Sequence, residues 1–70
     1  MLRTMQRYID RALKSGVEVR MWVNGVEVIP VKGEKIPYSV LEGVKRITFD
    51  GAEVLNFDTG KFFSSGYRKN

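Results

Sequence analysis

The sequence predicts an α+β domain: one N-terminal amphipathic helix packed on a small, bent antiparallel sheet of about five strands, barrel-like in its curvature. Three observations carry this. Residues 2–14 repeat apolar side chains every three or four positions, whereas two later stretches alternate with period two. Each alternating stretch is cut by Asn24-Gly25 or Asp50-Gly51, the dipeptides that a type I′ hairpin turn favours because both central residues need φ > 0. All seventy residues read as a single domain, 1–70.

In the helix, residues 2–14, Leu2, Met5, Ile9 and Ala12 form one apolar stripe that Tyr8 and Leu13 widen. Gly16 suits the C′ position, and Asp10 is spaced to pair with Lys14. A helix this short needs the sheet for its stability. The first hairpin spans 17–31, with Val17, Val19, Met21 and Val23 alternating against Glu18, Arg20 and Trp22. A two-residue turn sets Val23 opposite Val26, Met21 opposite Val28, Trp22 opposite Glu27 and Arg20 opposite Ile29.

Pro30 and Pro37 belong at strand ends or bulges, with a turn between them. Ser39 to Glu42 has capping-box spacing, but Gly43 limits it to a single helical turn. The second hairpin spans 44–57. Its unbroken register sets Ile47 opposite Val54 and Phe49 opposite Ala52, which leaves Val44, Leu55 and Phe57 on the opposite face. Asp58-Thr59-Gly60 reads as a three-residue loop leading to a short strand at 61–64, followed by a frayed basic tail at 65–70. The outline is similar to Sm-like RNA-binding rings and SH3-like barrels; the Sm-type glycine-and-aspartate signature is absent, so the likeness is one of outline alone.

Composition narrows the function. With no Cys and no His, the chain lacks disulfides and the usual zinc ligands. No run of apolar residues suits a signal peptide or a membrane span, so the expectation is a soluble, cytoplasmic protein with no membrane partner. The carboxylates are not spaced as an acid/base pair, and each serine has a capping or tail explanation. No catalytic residue, metal or cofactor is therefore expected, and the chain is read as a non-enzyme. A core this small gains from partners, and both faces of the second hairpin carry bulky apolar residues. That combination predicts a homo-oligomer.

The formal charge of +4 suits an anionic partner, and two places could hold one. Arg3, Arg7 and Arg11, with Lys14 beside them, form a stripe opposite the apolar one, at a spacing that can track phosphate oxygens. Arginine presents a rigid fork to phosphate, which lysine does not; the competing explanation is a solvated helix face. Arg20 and Trp22 share one sheet face and could stack a base beside its phosphate, although a tryptophan is more often simply buried. Lys45 and Arg46 add charge near the second hairpin, and Tyr67 and Arg68 of the tail could close over a ligand. The expected function is a self-associating, non-enzymatic protein that binds nucleic acid or a small nucleotide. The alternative is a protein–protein effector, such as a stand-alone inhibitor or viral accessory protein acting on a host protein.

Overall fold

Both turns form where their dipeptides place them: Asn24 and Asp50 hold φ of 51° and 52°, each followed by a glycine at 84°. The structure, a computed structural model, describes residues 2–63. The elements run α1 (Leu2–Lys14), β1 (Val19–Val23), β2 (Val26–Val28), α2 (Tyr38–Leu41), β3 (Val44–Phe49) and β4 (Ala52–Asn56). The sheet is four-stranded, in the order β2-β1-β3-β4, with every neighbouring pair antiparallel. It is open, not a barrel. The expected strand at 61–64 contributes one bridge, Asn56 to Lys61, among the described residues. Gly60 before it holds φ of 81°, and the loop is 57–60 instead of 58–60 because Phe57 keeps its N–H on the Lys45 carbonyl at 2.9 Å. The basic tail, including Tyr67 and Arg68, lies outside the described residues.

The first hairpin keeps its predicted register from Met21–Val28 to Val23–Val26. It is shorter than 17–31, because β2 ends at Val28 and the Arg20–Ile29 pair is not formed. Pro30, two residues on, has no N–H to give a ladder. α1 closes in a Schellman motif: the Val17 N–H donates to the Ala12 carbonyl at 2.9 Å and the Gly16 N–H to Leu13 at 3.1 Å. Met5, Ile9 and Ala12 are buried as the apolar stripe requires. Asp10 does not pair with Lys14; its Oδ1 accepts from Gln6 Nε2 at 2.9 Å instead. α2 is the single turn expected, but it begins after Pro37 with no side-chain cap, so the Ser39–Glu42 capping box is not used.

Two bulges overturn the predicted second face of the later hairpin. Between β1 and β3, Trp22 pairs with Arg46 while Val23 pairs with Val44, leaving Lys45 as the extra residue. Between β3 and β4, Thr48 pairs with Glu53 while Ile47 pairs with Leu55, leaving Val54 extra. Each insertion changes which residues share a face. Val44 and Leu55 therefore turn toward α1 and join Met5, Ile9, Met21, Ile47 and Phe49 in one core. Burying a leucine or valine in this way contributes about 1.5–3 kcal/mol each, more than enough to offset an interrupted ladder. The apolar residues cited for an oligomeric second face are thus core residues, except Phe57, which stays at the surface against Phe62 with ring centroids 5.1 Å apart.

At the other end of the sheet, Asp50 clamps the entry to β1. Its N–H donates to the Glu18 carbonyl at 2.8 Å, and its Oδ1 accepts the Glu18 N–H at 2.9 Å. Phe63 closes the core edge-on to Tyr8, centroids 4.3 Å apart, and within 6.2 Å of Phe49.

The bulged register makes a stability prediction. Leu55→Ala is expected to cost about 2–5 kcal/mol in urea unfolding, as a buried leucine should. Phe57→Ala, at the surface, is expected to cost far less. Equal losses would contradict the register.

Candidate cationic interface

The two predicted places for an anion sit on opposite layers of the fold. Alternation in β1, continued through the ladder, puts Arg20 and Trp22 on the sheet face turned away from α1. There they meet Glu18, Glu27, Arg46, Glu53 and Asn56. Arg20 lies between two carboxylates, 3.4 Å from Glu18 Oε2 and 3.5 Å from Glu27 Oε2. The Arg46 guanidinium stands 4.6 Å from the Trp22 ring centroid, a cation–π contact, and its Nε donates to Glu53 Oε2 at 2.9 Å. The same oxygen accepts Asn56 Nδ2 at 2.8 Å. Thr48, paired with both Arg20 and Glu53, is only 3% exposed, so the long side chains around it close over the strand.

This face is therefore sated. Its two arginines face three glutamates, and the Trp22 ring already has a guanidinium on it. A base or phosphate would have to displace those contacts to dock. The bulge at Val54 creates the arrangement, because it returns Asn56 to the face of Glu53 three residues earlier. Glu27 was legible as Trp22's partner from the turn alone. The Asp50-Gly51 register likewise puts Glu53 opposite Thr48, on the face of Arg46; Asn56 was not legible there, since an unbulged strand places it on the other face.

The α1 stripe is different. Arg3, Arg7, Arg11 and Lys14 are exposed, and none forms an ion pair or a side-chain hydrogen bond among the described residues. The one carboxylate on the same helix, Asp10, is engaged by Gln6. Two shallow depressions follow the stripe, one lined by Thr4, Arg7, Tyr8 and Arg11 and the next by Arg7, Asp10, Arg11, Lys14 and Ser15. Successive arginines rise by about 6 Å along the axis, so the cations span about 12 Å of surface. Lys45 is exposed on its bulge, beside Arg46 in the chain and with no ion pair among the described residues. The structure thus brings together Arg3, Arg7, Arg11 and Lys14, and separately Arg20, Trp22 and Arg46.

Among the described residues no group of three or more Asp, Glu, His or Cys side chains is placed to hold a metal ion. No helix there is long and apolar enough to cross a membrane. No protein-family model, curated protein or solved structure matches the chain.

The sheet network titrates on the acid side. Hydrogen bonds from Asn56 and then Arg46 hold the Glu53 carboxyl below its ordinary 4.5. A depressed carboxylate stabilises the fold above its unfolded value, and that contribution is lost as pH falls through the lower folded value. Trp22, the sole tryptophan, reports it. Its fluorescence is expected to stay constant through pH 4.5 and change only below, as Arg46 is released. In Glu53→Gln that acid transition should be absent; a transition unaltered by the substitution would disconnect Glu53 from the Trp22–Arg46 contact.

Proposed function

We propose that this chain is a non-enzymatic, self-associating binding protein that uses the outer face of α1 to hold a polyanion, nucleic acid in the first place. The observation that carries the reading is the contrast between its arginines: among the described residues, those of the sheet are held by carboxylates and those of α1 are not. An uncompensated guanidinium gains most from a phosphate, because no existing ion pair must be broken first. The stripe is open and elongated, which suits a strand better than a mononucleotide, for which enclosing pockets are usual. Sequence-independent binding follows from contacts that reach phosphates and not base edges.

The test is a charge reversal. Arg7→Glu with Arg11→Glu should abolish binding of a short oligonucleotide by fluorescence anisotropy while leaving the far-UV circular dichroism unchanged, since both residues are exposed. For the native chain, log K should fall with log salt at about 0.7–0.9 per phosphate contacted. A slope near zero, or a double variant that binds normally, removes α1 as the interface. Failure of the native chain to bind either an oligonucleotide or a nucleotide would favour the protein-effector reading instead.

A further inference from the structure

Among the described residues, two of the large exposed apolar side chains, Phe57 and Phe62, pack on each other, and three of the other four lie along one stretch. Val26, Ile29, Val31 and Tyr38 are 64%, 60%, 55% and 51% exposed, and the first three lie on or just beyond β2. β2 is also an edge strand. The opposite edge, β4, is covered where Asn56 exchanges both backbone hydrogen bonds with Lys61, at 2.8 and 2.9 Å. No described strand covers the outer edge of β2. Soluble proteins guard such an edge with lysines, inward charges, prolines or short strands; here β2 is three residues long and Pro30 follows it, but residues 26–31 contain no lysine, and their one charge, Glu27, lies 3.5 Å from Arg20.

We infer that the outer edge of β2 is where two copies of this chain pair, antiparallel and about a two-fold axis at Val28, to make one continuous sheet. This locates the self-association proposed above and rests on it. The hydrogen-bonding phase sets the axis. In a two-residue hairpin the residues flanking the turn, Val23 and Val26, exchange both bonds, so Val28 likewise bonds inward to Met21. The N–H and C=O of Glu27 therefore point outward; Ile29 lies one residue beyond β2, and the pairing extends the strand through it, which turns its N–H and C=O outward as well. A second copy aligned on Val28 sets Glu27 opposite its Ile29 and Ile29 opposite its Glu27, which satisfies these groups reciprocally. Pro30 does not obstruct the pairing, because its missing N–H is on the inward side. Charge selects the same register, since alignment one residue earlier would set Glu27 against Glu27. An isologous edge of this kind closes after two copies and leaves no further strand exposed on that side.

The experiment uses the full chain. Sedimentation equilibrium at micromolar concentration should give twice the 8.0 kDa mass. Ile29→Lys, at an exposed position, should give a monomer of native circular dichroism, while Phe57→Lys stays dimeric. Residues flanking the axis in a non-hydrogen-bonded pair sit about 4.5 Å apart between Cα atoms, within disulfide range. The chain has no cysteine of its own, so Val28→Cys should crosslink two chains under mild oxidation and Val26→Cys, far from its counterpart, should not. A monomeric native chain overturns self-association and this interface together. A native dimer that Ile29→Lys leaves intact, or that crosslinks equally through both cysteine variants, keeps self-association and overturns the β2 edge.

Discussion

The two interruptions in the ladders around β3 are the constraint on which the rest of the molecule depends. A four-stranded sheet in a chain of this length has one face to bury and, among the described residues, one helix of more than a turn to bury it against. Strict alternation would leave Val44 and Leu55 on the wrong side of that sheet. The extra residues Lys45 and Val54 correct the phase at both ends of the second hairpin, so the core gains two aliphatic side chains that it could not otherwise reach. A bulge forfeits local pairing, but Lys45 recovers part of the loss by accepting the Phe57 N–H at 2.9 Å.

The same insertions organise the far face. Once Leu55 is turned inward, Asn56 falls beside Glu53, and one carboxylate oxygen anchors both Asn56 and Arg46. Arg46 is then held over Trp22. The two arginines of the sheet are consumed in making a self-paired surface. α1 contributes its apolar stripe to the core, and its outer arginines have no comparable partners among the described residues. Positive charge is thus divided into a structural set and an unpaired set, and the unpaired set is the reason to expect a polyanion there.

How far this was legible in the sequence follows from which signals were local. α1, its Gly16 ending and the first hairpin's register came directly from periodicity and from the Asn24-Gly25 turn. The bulges did not, because a bulge is decided by which register buries more apolar surface in three dimensions, and neither Lys45 nor Val54 differs from an ordinary strand residue. One shift of register moved Leu55 from the predicted interface into the core and brought Asn56 to Glu53 on the sheet face. The helix stripe was readable as a spacing. Glu18, two residues before Arg20, was likewise in reach of period-two alternation, but the second partner, Glu27, is a diagonal cross-strand contact, and the lack of carboxylate partners for the α1 arginines among the described residues is a matter of the fold.

The division of the arginines is most directly measured by their own side-chain signals. In a ¹H–¹⁵N spectrum of the Nε–Hε groups, adding a short oligonucleotide should move Arg3, Arg7 and Arg11, while Arg46 and the Trp22 indole stay in place. Shifts confined to Arg20, Arg46 and Trp22, with the α1 arginines unmoved, would contradict the account.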